Sequence, residues 1–162
     1  NFYKDGKQSG FLTSIIKNIN SGLDLDKFFL LYRCDSYNSI NAYFQLAQLY
    51  LEKNMIEKLL EVSIMGMLTS VTRIEQILKE RELEYTYKNF NHFYYLATQY
   101  SDIIAWGIEN KIWQGFFNFG QALEVNEFTE LAKDVYTQNV IYSPEEHWQK
   151  TSREKLKRLA EE

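Results

Sequence analysis

Tyr43-Phe44-Gln45-Leu46-Ala47-Gln48-Leu49-Tyr50 opens on two aromatic residues, carries a Leu-small pair at its fourth and fifth places and closes on tyrosine. Degraded copies occupy residues 93–100, where Phe93, Tyr94, Leu96, Ala97 and Tyr100 hold the matching places, and 116–123, where Phe116, Phe117, Phe119, Gly120 and Leu123 do. A small residue flanked by bulky ones lets two helices press together, because side-chain volume sets how near their axes can come. The recurrence predicts stacked helices that present a surface.

Composition supports a helical reading. A single proline in 162 residues leaves long stretches of good helix formers uninterrupted, and the length suits one domain. Aromatic residues make up 16% of the chain, with 12 Tyr and 11 Phe, so large rings are expected to build the core and to suit binding surfaces. A net charge of −4 argues against a phosphate-backbone binder, and no nucleic-acid partner is expected. One cysteine, Cys34, excludes an intrachain disulfide and a thiolate-rich metal site, while leaving the compartment open. The longest apolar runs, such as residues 103–108, fall far short of the ~18 residues of a membrane span, so a soluble protein without a transmembrane segment is expected. Asn1 is not an initiator methionine, which points to a processed product or a piece of a longer chain.

Along the chain, residues 1–10 read as a linker or frayed terminus, and 11–162 as a single all-helical domain. Apolar positions 11, 12, 15, 16 and 19 predict a first helix, stopped at Ser21-Gly22. Asp24 and Asp26 are placed to cap a second helix ending near Arg33, and Asp35, Ser36 and Asn38 form a turn before a third over 39–53. Beyond Asn54, Leu60, Ile64, Met67, Val71, Ile74 and Leu78 make a heptad stripe on one long helix, or two nearly collinear ones, over about 55–83. Further helices are predicted over 86–108 and 112–125, and over 127–138 with Asn126 as its cap and Asn139 as its end. Ser143, Pro144 and Glu146 form a capping box for a last helix, whose narrow stripe of Trp148, Ser152, Leu156 and Leu159 suits a helix sealing the end of a stack.

These residues resemble the tetratricopeptide repeat family, in which helix pairs stack into a right-handed superhelix. In the first copy Tyr43, Leu46-Ala47 and Tyr50 hold the first helix's signature places, with Ile56, Leu59, Ser63 and Gly66 on the second. The third copy fits if its turn is one residue shorter, with Phe128, Leu131 and Val135 on its second helix. The copies start 50 and then 23 residues apart, whereas the family's period is about 34, so the middle copy does not fit a regular array. The resemblance implies an all-α, tetratricopeptide-like stack of antiparallel helix pairs with a long central helix and a C-terminal capping helix. An irregular helical bundle is the alternative.

The family's concave surface is lined by first-helix side chains, and the resemblance assigns that role to Asn41, Phe44, Gln48 and Glu52. It adds Asn91, Tyr94, Thr98 and Asp102 from the second copy, and Gln114, Phe117, Gln121 and Val125 from the third. Asn and Gln carry both donors and acceptors for the backbone of an extended peptide, and a neighbouring ring grips a side chain. Polar outer faces of amphipathic helices account for the same residues more simply.

No catalytic, cofactor or metal site is read from the sequence. His92 and His147 have no ligand at metal spacing, Cys34 has no basic partner in sequence, and Glu57 and Glu61 fit a solvated helix face. The basic run Lys150, Arg153, Lys155, Lys157 and Arg158 is offset by flanking glutamates and complements a helix dipole. The expected function is a non-enzymatic interaction module for a peptide or protein partner. The alternative is a homodimer paired through the Leu60 to Leu78 stripe.

Overall fold

The computed structural model describes residues 6–34 and 40–162, with side chains from Gly10 onward in the first segment. The described residues form nine helices and no strand. They are α1 (Gly6–Asn20), α2 (Leu25–Leu31), α3 (Ile40–Glu52), α4 (Ile56–Arg81), α5 (Phe90–Ala97), α6 (Ser101–Glu109), α7 (Ile112–Val125), α8 (Thr129–Tyr142) and α9 (Glu146–Ala160). Half of the expected N-terminal linker is therefore helical, since α1 begins well before its apolar face does. The turn expected at Asp35, Ser36 and Asn38 lies outside the described residues.

Two helix pairs dominate. The pair α3/α4 and the pair α7/α8 each close through a tight turn, and α4 packs against α7. The turns are built alike. Asn54 (φ 56) and Glu127 (φ 68) hold the left-handed position. In the first turn the Asn54 N–H donates to Leu51 O at 3.1 Å and the Met55 N–H to Tyr50 O at 2.8 Å. In the second the Glu127 N–H donates to Glu124 O at 3.0 Å and the Phe128 N–H to Leu123 O at 2.9 Å. Tyr43 to Phe116, Asn54 to Glu127 and Ile56 to Thr129 are all steps of 73 residues. The third copy's turn is thus as long as the first's, not one residue shorter, and Ala132, Tyr136 and Asn139 stand where Leu59, Ser63 and Gly66 stand. Asn126 does not cap α8: its amide donates to Ile56 O at 2.9 Å and Ala122 O at 2.8 Å, tying this turn to the start of α4.

Helix α4 is the centre of the molecule. Each residue of its predicted stripe, Leu60, Ile64, Met67, Val71, Ile74 and Leu78, is at most 2% exposed, because α3 and α7 both lie along this helix and α5 adds a third contact. Full burial of one such side chain contributes about 1.5–3 kcal/mol. Glycine permits the closest approaches. A Cβ at Gly66 would lie 2.9 Å from Phe44 Cε1, and one at Gly115 only 2.2 Å from Phe44 Cζ. The Phe44 ring is a wedge among α3, α4 and α7.

The middle copy is where the helix expected over 86–108 breaks. Its first five residues lie on α5, but the chain turns at Thr98–Tyr100, where the Thr98 hydroxyl donates to Tyr95 O at 2.8 Å and the Gln99 N–H to Leu96 O at 3.0 Å. Tyr100 begins α6 instead of ending a helix, with its hydroxyl on Glu82 at 2.6 Å and the Arg81 guanidinium 4.9 Å from its ring centroid. Phe90, Phe93 and Tyr94 of α5 join Phe28, Phe29, Trp113, Phe116 and Phe119 in a buried aromatic core. Phe29 stacks on Phe90 with centroids 4.8 Å apart, and Tyr94 stacks on Trp113 at 5.9 Å.

Polar contacts fasten the rest. Asp24 caps α2 through the Lys27 N–H at 2.8 Å, whereas Asp26 accepts the Phe90 N–H at 2.9 Å and so joins α2 to α5. Glu75 is only 4% exposed, and it accepts Arg33 Nε at 2.7 Å and the Tyr85 hydroxyl at 2.6 Å. Helix α8 runs past Asn139, which is buried, to Tyr142. The expected capping box is absent: α9 starts without a side-chain cap. Gln149 Nε2 instead donates to Ser143 O at 2.6 Å. Helix α9 packs on α8 and α7, burying Ser152 and Leu159 and stacking Trp148 on Phe117 with centroids 5.2 Å apart.

Candidate interaction cleft

Between α3 and α7 runs a cleft of about 280 Å³, closed at one corner by the α6–α7 junction. Its α3 wall is Asn41, Gln45 and Gln48, stepping four and then three residues along one helix face; its α7 wall is Gln114 and Asn118. Glu109 and Lys111 stand at the corner, and Phe44 forms the floor. The walls face one another because both helices lie on α4, and their separation is set by the Phe44 ring against Gly66 and Gly115. Lys111 itself takes φ 58, so the chain turns sharply from α6 into α7 and delivers Glu109 and Lys111 to the same corner.

Chemically the cleft is polar and nearly neutral. Five carboxamides line it, and its two charged residues have opposite sign. The side chains of Gln45, Gln114 and Asn118 make no hydrogen bond to any described residue, and Gln48 Nε2 reaches only Glu52, at 3.2 Å. The volume lies just below the ~300–1,000 Å³ of ordinary small-molecule pockets, which favours a ligand that runs through it over one enclosed by it. A groove of about 380 Å³ between the end of α1 and the start of α8 differs in character, with Asp24, Glu127, Glu130 and Asp134 around Ile19, Leu23 and Phe128. There burial, followed by the nearby Glu130, Asp24 and Asp26 carboxylates, raises the Asp134 carboxyl above its ordinary value.

Of the residues assigned by resemblance, the structure brings Asn41, Phe44, Gln48 and Gln114 into one cleft. Glu52 follows on α3, held by Gln48. Phe44 is 7% exposed and acts as a floor, not a grip. Phe117 points away from the cleft into the core, where its ring meets Tyr136 and Trp148. Gln121 is half-buried one turn beyond Asn118 and is not among the lining residues.

The second copy's set lies elsewhere. Tyr94 is 0% exposed and donates its hydroxyl to Asn139 Oδ1 at 3.0 Å, so it has no surface to offer a partner. Asn91 accepts the Tyr142 hydroxyl at 3.0 Å, and Thr98 bonds within its own turn. Asp102 is paired with Arg81, whose hydrogen bonds hold its carboxyl below the usual range. These residues fasten α5 and α6 to their neighbours.

Sequence reasoning missed Gln45, Asn118, Glu109 and Lys111. A signal for the first two was present: Gln45 continues the polar face Asn41, Gln45, Gln48, and Asn118 lies 73 residues beyond it. The resemblance instead favoured the rings beside them, which point inward. His92 stacks on Tyr85 with centroids 6.4 Å apart, His147 meets Trp148 edge-on at 4.5 Å, and Cys34 is buried. No helix among the described residues is long and apolar enough to cross a membrane.

No family model matches the chain, and no solved structure matches it. A protein of Treponema pallidum (strain Nichols) described as "Uncharacterized protein" is 27% identical over 125 residues, a stretch that covers 77% of this chain and 33% of that protein. The chain spans about a third of the length of this relative.

Proposed function

We propose that this chain is a non-enzymatic, tetratricopeptide-like interaction module that holds a peptide or protein partner in the cleft between α3 and α7. The observation that carries the reading is the cleft itself: residues from the two octet-bearing helices, Asn41 and Gln48 of α3 with Gln114 of α7, meet in one groove whose side-chain polar groups are largely uncommitted. Further support comes from the order of packing. Helix α7 lies against both α3 and α4, and α9 lies against both α7 and α8, so one stacking step is used twice. The 39-residue excess of this step over the family's period of about 34 is taken up by α5, α6 and their connections. Pairing through the Leu60 to Leu78 stripe is the weaker reading, because those side chains are already occupied by α3, α5 and α7 of the same chain.

Site-specific incorporation of a photo-crosslinking amino acid tests the proposal. Placed at Gln48 or Asn118, it is expected to capture a discrete polypeptide that the same group at Thr98, outside the cleft, does not. Equal capture from all three positions, or none from the cleft, refutes it.

A further inference from the structure

Helices α4 and α8 open alike, each with a carboxylate at its second and sixth residues: Glu57 and Glu61 on α4, Glu130 and Asp134 on α8, again 73 positions apart. An acid in the first turn complements the helix dipole, which accounts for Glu57 and Glu130. Glu61 and Asp134 lie beyond that turn, each one turn from a like charge, an arrangement that lowers stability. Both pairs border one furrow. A depression of about 310 Å³ sets Glu57 and Glu61 around Ile16 and Leu60. It shares the half-buried Phe128 ring with the groove of about 380 Å³ in which Glu130 and Asp134 stand around Ile19 and Leu23. Asp24 and Glu127 add two more acids, and no described residue lining either depression is basic. Lys133 reaches Glu130 at 3.4 Å, an exposed pair of little weight.

We propose that this furrow is a second docking surface, for a basic polypeptide segment that sets an apolar side chain against Phe128 and its lysines or arginines against the acidic rim. The furrow shares no lining residue with the α3/α7 cleft, so the two surfaces stand or fall separately. Its acids are crowded in the free protein: burial first, then Glu130, Asp24 and Asp26, raise the Asp134 carboxyl above its ordinary value. A cationic partner relieves that repulsion, and complementary charge steers its approach. An anionic partner meets like charge, and a simple cation would use the rim while leaving the apolar floor bare. A second copy of this chain does not fit either. Its basic helix, α9, stacks Trp148 on its own Phe117 and buries Leu159, and none of its large apolar side chains is exposed to fill the floor.

A random dodecapeptide library panned against the whole chain supplies the probes, and fluorescence anisotropy measures the enriched peptides. They are expected to include a class with several Lys or Arg around a Leu, Ile or Phe. Affinity of this class should fall roughly tenfold in the Glu130→Lys/Asp134→Lys variant, where two attractions become repulsions. It should fall less than about twofold in Glu80→Lys/Glu154→Lys, which has the same net charge but alters exposed sites outside the furrow. Serine in place of the peptide's apolar residue should weaken binding roughly fivefold or more, and added salt should weaken it too. Both variants should keep the parent's thermal midpoint. Equal losses in the two variants, furrow-dependent peptides without basic residues, or indifference to the serine replacement overturn the proposal. Enriched peptides that all ignore the furrow variant and depend on Gln48 and Asn118 overturn it while supporting the cleft.

Discussion

Replacing Gly115 by alanine while also trimming Phe44 probes the contact that sets the cleft's width. A Cβ at Gly115 would stand 2.2, 2.3 and 2.8 Å from three atoms of the Phe44 ring, where relaxed carbon contacts need ~3.5–4.0 Å. The ring has little room to retreat, since it also lies against Gly66, where a Cβ would stand 2.9 Å from its Cε1. Overpacking of this kind costs about 2–3 kcal/mol, offset by about 1 kcal/mol of helix propensity gained over glycine, so Gly115→Ala should lose about 1–2 kcal/mol. Phe44→Ala removes a ring that is 7% exposed and should lose about 3–4 kcal/mol. In the double variant the added methyl occupies vacated space, the strain vanishes and the helix gain remains. It should therefore be no less stable than Phe44→Ala alone, a coupling of about 1–3 kcal/mol. Urea midpoints followed by far-ultraviolet circular dichroism measure all four proteins, with Phe44→Leu as a milder partner should Phe44→Ala not fold. Costs that add to within about 0.5 kcal/mol would show that the wedge does not set the spacing of α3 and α7.

Two further outcomes follow from the buried polar groups. Arg33→Met should destabilise by about 2–3 kcal/mol in urea titration, because the Glu75 carboxylate stays buried with only the Tyr85 hydroxyl beside it; the figure sits below that for a wholly buried pair since the Arg33 side chain is 30% exposed. Arg81→Met, which breaks the solvated pair with Asp102, should change the midpoint little, and equal losses from the two variants would refute the distinction. At alkaline pH the Tyr85, Tyr94 and Tyr136 hydroxyls, raised above their ordinary value chiefly by burial, resist ionisation in the folded state. The unfolded chain therefore releases these protons first: stability is fully present below about pH 10 and is lost as pH rises through and beyond it. A urea midpoint that holds constant to about pH 11 contradicts this.

Local sequence determined the helices, because their signals are carried by neighbours in the chain. The heptad stripe gave α4, the polar Asn54 gave the left-handed turn and Asp24 gave a cap. Where competing contacts came from distant segments, local reading failed. Asn126 spends its amide on Ile56 instead of capping α8. Tyr100 turns to Arg81 and Glu82 instead of closing an octet. The middle copy looks like its siblings by composition, yet Tyr94 is drawn into the core by Trp113 and Asn139, neither of which is near it in the chain.

The cleft divides the same way. That positions 41, 48 and 114 carry amide side chains at helical spacing is a property of the sequence alone, since periodicity fixes which residues share a helix face. That α3 and α7 stand side by side, with Gln45 and Asn118 on facing walls and Phe44 beneath them, was decided by tertiary packing. Two glycines on different helices, Gly66 and Gly115, admit one ring between them, and no local signal specifies that three segments so far apart in the chain will converge on it.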